Sequence, residues 1–223
     1  MNLALFDLDH TLLPIDSDYE WGQFLVRTGA VDGAVFARRN EVFFAQYMAG
    51  TLDSHEYLAF ALGTLAAFPR PQLDLMHARF MQEVIQPAIL APARALLQQH
   101  HDQGDLVAIV TATNHFVTAP IAQALGVAHL IAAMPELDLA GNLTGALLGS
   151  PTQGAGKVLH THAWLEQMGH RLNDFERSYF YSDSHNDLPL LSIVTHPIAT
   201  NPNAALTSHA TSHGWPLLYL FND

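Results

Sequence analysis

The 223-residue chain contains no cysteine and only one lysine, Lys157, among its nine basic residues. The absence of cysteine excludes a disulfide framework, a thiolate metal site and a cysteine nucleophile. Because an ammonium group differs chemically from a guanidinium group, the single lysine is a candidate for a specific role. A coding preference for arginine is the alternative explanation of the same bias.

Positive charge is scarce: the formal net charge is −12 with the 14 histidines neutral. A nucleic-acid or anionic-membrane partner requires clustered Lys and Arg, and the chain offers only the Arg38-Arg39 pair. No long apolar run marks a signal peptide or membrane span, so we expect a cytoplasmic location. The sequence does not indicate an oligomeric state.

Hydrophobic residues make up 49% of the chain, enough to form a sizeable core. Short apolar runs that end in polar residues predict buried strands near residues 3–6, 105–110 and 178–181. Helical patterns lie between them at 92–103, 115–125 and 156–168. This alternation predicts an α/β fold with a Rossmann-like parallel sheet whose faces are covered by helices.

One interval breaks the alternation, because residues 17–88 have helical patterns only. We therefore predict a core domain of residues 1–16 and 89–223, with a helical cap of residues 17–88 inserted after the first strand. Such an insertion would lie above the carboxyl ends of the strands, where open α/β sheets bind ligands. A smaller hairpin is predicted within residues 134–148.

Polar residues follow three of the predicted strands, and Lys157 opens a helix between two of these clusters. Each cluster has a purely structural alternative as a helix cap or a turn. In a parallel sheet, however, the strand ends share one edge, so the clusters are expected to converge on one pocket. The clusters are Asp7, Asp9 and Thr11; Thr111 and Thr113; and Asp183, Asn186 and Asp187.

Phosphoryl transfer explains these residue types. A carboxylate can attack phosphorus and form an aspartyl-phosphate, which divides the reaction into two easier steps. Attack by an anion on an anionic ester requires neutralising charge, which Mg²⁺ and an ammonium group provide. A second carboxyl group can protonate the leaving alkoxide and later deprotonate water.

The motifs resemble those of the haloacid dehalogenase superfamily. Phe6-Asp-Leu-Asp-His-Thr-Leu-Leu13 is similar to its first motif and Asp183-Ser-His-Asn-Asp187 to its fourth, while Thr111 and Lys157 match the second and third. The helical insertion resembles the cap of the phosphoserine phosphatase-like branch, subfamily IB. Short stretches at 16–18, 120–122 and 125–126 resemble a group with members assigned to histidinol phosphate.

The resemblance implies a role for each matching residue. Asp7 would be the nucleophile, Asp9 the general acid and base, and Lys157 the group that stabilises phosphorylated Asp7. The implied Mg²⁺ ligands are Asp7, the Asp9 backbone carbonyl and Asp183, and Asn186 and Asp187 would support that site. Phosphate would be bound at Thr111 and Ala112.

The sequence departs from the family pattern at two places. His10 stands where glycine or serine is more usual, and Ala112-Thr113 replaces the paired glycines that phosphoserine phosphatases carry. Since glycine permits close backbone approach, the second departure argues against phosphoserine as the substrate. The core reaction is unaffected by either difference.

The expected function is Mg²⁺-dependent hydrolysis of a small amino-bearing phosphomonoester, similar to histidinol phosphate or phosphoserine. Asp16 is the candidate for contacting the substrate ammonium. Asp18 and Glu20 are alternatives for this contact, or else residues of a solvated helix start. A phosphotransferase to an alcohol and a non-catalytic binding protein would share the motifs. A Ser-His-Asp hydrolase lacks support, since no G-x-S-x-G sequence occurs.

Overall fold

The computed structural model describes residues 1–221, which contain a seven-stranded sheet of order β4-β3-β2-β1-β5-β6-β7. All neighbouring strands are parallel except β3 and β4, which form the predicted antiparallel hairpin. The strands are β1 (Leu3–Phe6), β2 (Leu106–Asn114), β3 (His129–Leu137), β4 (Leu143–Leu148), β5 (Ser178–Ser182), β6 (His196–Thr200) and β7 (Leu217–Leu218). The predicted α/β class and parallel sheet are confirmed.

The central strand β1 is buried on both faces, which explains its uninterrupted apolar sequence. Leu3 and Leu5 point into one hydrophobic cluster, and Ala4 and Phe6 point into the other. Successive strand side chains point to opposite faces, so four consecutive apolar residues supply two separate cores. Burial of each large side chain contributes about 1.5–3 kcal/mol, which fixes β1 at the centre of the sheet.

Helices between the strands cover both faces of the sheet. The structure confirms the three helices predicted at 92–103, 115–125 and 156–168. Each ends one residue before its predicted end, and the first and third also begin one residue early. Shorter helices accompany the last strands. These elements are α6 (Ala91–Asp102), α7 (His115–Ala124), α8 (Ala155–Gln167), α9 (Leu188–Leu191) and α10 (Ala204–His213).

The segment between β1 and α6 is helical, as predicted. Three of its helices begin at an aspartate N-cap, Asp16, Asp32 or Asp53, whose side chain accepts hydrogen bonds from backbone N–H groups of the first turn. A π-helical turn at Met81–Ile85 joins the last two helices. The helices are α1 (Ser17–Arg27), α2 (Gly33–Met48), α3 (Ser54–Ala66), α4 (Arg70–Phe80) and α5 (Gln86–Ala88). We call them the inserted helices.

The inserted helices share a hydrophobic core with the sheet. Trp21 of α1 packs edge-on against Phe80 of α4, with ring centroids 5.2 Å apart, and against Phe116 of α7 at 5.9 Å. At Gly145 of β4, φ is +88° and an added Cβ would lie 3.3 Å from Ala66 Cβ of α3, so glycine permits the close approach of hairpin and helix. The division into core and cap domains stays a prediction.

Within residues 1–221, no helix combines the length and hydrophobicity that crossing a lipid bilayer requires.

Candidate active site

The predicted site residues meet at the carboxyl ends of the three adjacent strands β2, β1 and β5. Phe6 pairs with Ile109 on one side and with Tyr181 on the other, so Asp7, Val110 and Ser182 come next on neighbouring strands. Strand β2 continues to Asn114, four residues beyond the predicted end at Val110. Thr111, Ala112 and Thr113 therefore belong to the strand itself and lie against the pocket.

Lys157 connects Asp7, which follows β1, with Asp187, which follows β5. Its Nζ lies 2.8 Å from Asp7 Oδ1 and 2.7 Å from Asp187 Oδ2, and the residue is only 2% exposed. Burial alone lowers the pKa of Lys157, but the Asp187 and Asp7 carboxylates outweigh burial and raise that pKa overall. The Ser182 hydroxyl also donates to Asp187 Oδ2, at 2.7 Å. Lys157 is thus held as a cation against the predicted nucleophile.

A close backbone contact fixes the first turn of α8, which carries Lys157. A Cβ added at Gly156 would lie 2.1 Å from the carbonyl oxygen of Pro151, a distance that no side chain tolerates. Glycine at this position therefore allows the helix start to approach the preceding loop. The sequence places that glycine directly before the lysine.

Two hydrogen bonds hold the Asp9 carboxylate. The backbone N–H of Ser17 donates to Oδ1 at 2.7 Å, and the Thr113 hydroxyl donates to Oδ2 at 2.9 Å. Burial, reinforced by the charge of Asp16, raises the pKa of Asp9 to about 6. Thr113, one of the two residues that replace the paired glycines of phosphoserine phosphatases, thereby positions the predicted general acid.

Asp183 is buried beside the same cluster. Its backbone N–H donates to Thr11 Oγ1 at 3.0 Å, and the Thr11 hydroxyl lies 3.4 Å from Asp183 Oδ1. Burial, and then the charges of Asp7 and Asp187, raise the pKa of Asp183 well above its usual range. Burial likewise raises the pKa of Asp187 to about 6. The site holds more buried carboxyl groups than its one lysine can neutralise.

This donor set fits a hard divalent cation. Among residues 1–221, no three His, Asp or Glu side chains are arranged to ligate a metal by themselves. Mg²⁺ does not require such a set, since it binds through one or two carboxylates and keeps several waters. The mutual repulsion of the buried Asp7 and Asp183 is the feature that a bound cation would relieve.

The backbone conformation at His10 accounts for the glycine that is more usual at this position. Its φ is +56°, in the left-handed region that favours glycine. The Asn201 side chain holds the turn by donating to the His10 carbonyl at 2.9 Å. The position thus requires the conformation that glycine adopts most readily, and a histidine is kept there by this contact.

The inserted helices close the other side of the pocket. Asp16 lines it and caps α1, accepting from the N–H groups of Asp18 and Tyr19 at 3.0 and 2.9 Å. Burial raises the pKa of Asp16 to about 7. The predicted residues that line this one pocket are Asp7, Asp9, Asp16, Thr111, Ala112, Lys157, Asn186 and Asp187.

Asp18 also lines the pocket, and the sequence allowed either a substrate contact or a solvated helix start for this residue. It is 6% exposed, and the Tyr57 hydroxyl donates to its Oδ2 at 2.5 Å, so the alternative of a solvated helix start is wrong for this residue. The signal was present: Asp18, Trp21, Gly22 and Leu25 follow the i, i+3, i+4, i+7 spacing of one helix face, and all are buried. Glu20 does not line the pocket.

Arg38 and Arg39 lie outside the pocket. Both are exposed, and Arg39 pairs with Glu56 at 3.7 Å.

Replacement of Asp18 by asparagine should make the substrate-free protein more stable at neutral pH. Burial raises the pKa of Asp18 from 3.8 to about 6, so the folded state binds the proton more tightly. Proton binding by Asp18 therefore stabilises the folded state fully below pH 4. This stabilisation, about 2–3 kcal/mol in the free energy of unfolding, is lost as pH rises from 4 to 6. Urea unfolding of both proteins from pH 4 to 7.5 should show Asp18→Asn gaining relative stability with pH. A pH-independent difference would contradict this expectation.

Comparison with known proteins identifies the family. A family model described as haloacid dehalogenase-like hydrolase matches residues 4–192. This chain belongs to that family. The resemblance is therefore confirmed, and Asp7, Thr111 and Asp183 all lie within the matched residues.

Relatives of this hydrolase narrow its activity class. A histidinol-phosphatase of Neisseria meningitidis is 40% identical over 217 residues, covering 97% of this chain and 98% of that protein. A crystal structure of a Bordetella pertussis protein of unknown function matches with a TM-score of 0.94 and 50% identity over 99% of each chain. A substrate-bound phosphoserine phosphatase, at 18% identity and a TM-score of 0.70, covers 97% of this chain and 92% of its own, and supports the fold alone. The hydrolase is a phosphatase.

Proposed function

We propose that this phosphatase hydrolyses a small amine-bearing phosphomonoester, with Mg²⁺, through an aspartyl-phosphate on Asp7. The observation that carries the proposal is the contact of Lys157 Nζ with Asp7 Oδ1, at 2.8 Å, inside a pocket that also contains Asp9, Asp16 and Thr111. A nucleophile, a cation, an acid and an acceptor for a substrate ammonium are thus within one cavity.

In the first step, an Asp7 carboxylate oxygen attacks phosphorus and the ester oxygen leaves. The Lys157 ammonium neutralises negative charge at Asp7, while the Thr111 hydroxyl and adjacent backbone N–H groups hold phosphate oxygens. Asp9 in its protonated form donates its proton to the leaving alkoxide. The pKa of about 6 makes that form available near neutral pH.

In the second step, ionised Asp9 takes a proton from water, which attacks the phosphorus of phosphorylated Asp7. Inorganic phosphate leaves and the Asp7 carboxylate is restored. Asp7, Asp183 and the Asp9 carbonyl would hold Mg²⁺, which supplies positive charge to the phosphate oxygens when bound. Asn186 and Asp187 support this end of the site, Asp187 through its ion pair with Lys157.

Asp16 is the proposed partner of the substrate amine. Its side chain is half-buried and has no cationic partner among the ion pairs of residues 1–221. A substrate ammonium would supply the missing charge. The relative named for histidinol phosphate makes that ester the first substrate to test.

A phosphomonoester panel with Mg²⁺, and with a chelator in its place, tests the proposal. We expect turnover of amino-alkyl phosphates that depends on Mg²⁺. Equal rates on sugar phosphates or nucleotides, with none on amino-alkyl phosphates, would refute the substrate class. No turnover of any ester would favour a non-catalytic binding protein, and phosphate transfer to added alcohol would favour a phosphotransferase.

Replacement of Asp9 by asparagine should separate the two steps. The steady-state rate should fall by about 10²- to 10⁴-fold, because the general acid and base is lost. With p-nitrophenyl phosphate the leaving phenolate needs no proton, so a burst of one nitrophenolate per enzyme should precede the slow hydrolysis. Stopped-flow absorbance measures this burst, with the exposed Asp102→Asn as the control variant. A variant with normal steady-state turnover would contradict the assignment.

A further inference from the structure

The side of the pocket that the inserted helices form lacks positive charge. Within residues 1–221, the pocket residues contributed by the inserted helices and their connecting loops include no lysine, arginine or histidine. Lys157, the one cation among the described residues that line the pocket, is paired with Asp7 and Asp187. A carboxylate on the substrate would therefore lie near Asp16 and Asp18 without a counter-charge, which disfavours its binding.

Asp18 is held ready to accept a hydrogen bond. The Tyr57 hydroxyl donates to Oδ2 at 2.5 Å, and Asn114 Nδ2 lies 3.4 Å from Oδ1. A carboxylate has about four acceptor positions, so acceptor capacity is left for a group in the cavity. Because Asp16 already accepts from two backbone N–H groups and caps α1, Asp18 offers a second and separate acceptor.

Aromatic rings line the same pocket as Asp18, and one of them, Tyr57, contacts it. Tyr57 and Phe43 meet edge-on with centroids 5.3 Å apart, and Tyr19 and Phe44 meet at 4.8 Å. All four residues line the pocket. Flat apolar walls beside a buried acceptor suit a planar ring that carries an N–H donor, since the ring packs on the aromatic faces and the N–H reaches the carboxylate.

We propose that Asp18, positioned by Tyr57, and the rings of Tyr19 and Phe43 form a specificity subsite for a planar nitrogen heterocycle. This inference rests on the proposed function and deepens it. The substrate is then the phosphate ester of an amino alcohol that bears an N–H heterocycle and no carboxylate. Its phosphate lies at Asp7, its ammonium at Asp16 and its ring N–H at Asp18.

The test compares kcat/KM for four phosphate esters in the full-length enzyme with Mg²⁺. Histidinol phosphate carries an amine and an imidazole, phosphoethanolamine carries the amine alone, phosphoserine carries amine and carboxylate, and p-nitrophenyl phosphate carries neither. In Asp18→Asn, kcat/KM for histidinol phosphate should fall by about 10- to 100-fold, the size of a hydrogen bond to a charged group. The values for phosphoethanolamine and p-nitrophenyl phosphate should stay within about threefold of wild type, because neither ester has a ring N–H to donate to Asp18.

Tyr57→Phe and Glu20→Gln complete the set of variants. Tyr57→Phe keeps the ring and removes the donor to Asp18, so it should produce a smaller loss that is again confined to histidinol phosphate. Glu20→Gln removes one charge from the same helix outside the pocket and should leave all four values unchanged. Circular dichroism checks that each variant is folded, and Tyr57→Phe provides the test if Asp18→Asn is not.

The outcomes separate the subsite from the proposed function. Equal losses on all four esters in Asp18→Asn would make Asp18 a structural residue and overturn the subsite. A wild-type enzyme that hydrolyses phosphoserine as fast as histidinol phosphate would overturn it as well, while leaving the phosphatase mechanism intact. A wild-type enzyme without activity on any of the four would instead refute the proposed function.

Discussion

Asp7→Asn should lower turnover by about four to six orders of magnitude, the range seen when a covalent nucleophile is removed. The carboxamide cannot form an acyl phosphate, so neither half of the proposed reaction can proceed on it. The fold should persist, because the amide oxygen still accepts from Lys157 and Asp187 keeps its ion pair with that residue. Steady-state assay and thermal unfolding measure the two effects separately.

A matched control for Asp7→Asn is Asp74→Asn, which makes the same chemical change at an exposed position paired with Arg70. Exposed pairs contribute little, so both activity and stability should stay near wild type. Normal turnover in Asp7→Asn would exclude this carboxylate as the nucleophile. Loss of folding in that variant would mean that its carboxylate is a structural requirement.

Lys157→Arg should reduce kcat by about 100- to 1000-fold, the effect of removing one group that stabilises the transition state. The ammonium contacts two carboxylates from a buried position, and the helix start behind it cannot retreat because Gly156 already abuts Pro151. A planar guanidinium fork does not reproduce this point contact. A near-native rate would mean that the lysine is incidental.

Lys157→Met separates the charge of this residue from its geometry. The methionine variant leaves Asp7 and Asp187 buried without a cation, so the free energy of unfolding should fall by about 3–5 kcal/mol. The arginine variant keeps the charge and should lose less. Urea titration of both variants measures the difference, and equal stability would contradict the role of Lys157 as the counter-ion.

The sheet was predictable because its strands are short apolar runs that end in chemically distinctive residues. The side chains of Leu3–Phe6 alternate between two cores. Asp7 follows at the carboxyl end of the strand, where the ends of the neighbouring parallel strands also lie. The sequence therefore predicted that Asp7, Thr111 and Asp187 lie around one pocket. The largest error was at the end of β2, because Thr111 and Thr113 are polar residues that continue a buried strand.

The inserted helices were harder to interpret, because their contacts connect residues far apart in sequence. Asp18 meets Tyr57 of α3 and Asn114 of β2, and no local pattern encodes either partner. A helix N-terminus with acidic residues is favourable in water for its dipole alone, which made the solvated alternative reasonable. The burial of Asp18 is decided by the packing of the inserted helices on the sheet.

In the proposed mechanism, the phosphoryl group passes through Asp7. The most direct measurement is rapid quench of the enzyme during turnover of histidinol phosphate with Mg²⁺, followed by borohydride reduction and peptide mass spectrometry. An acyl phosphate at Asp7 would be reduced to homoserine at that position, and with p-nitrophenyl phosphate as the substrate it should be more abundant in Asp9→Asn. Turnover that leaves Asp7 unreduced, or that labels another residue instead, would contradict the mechanism.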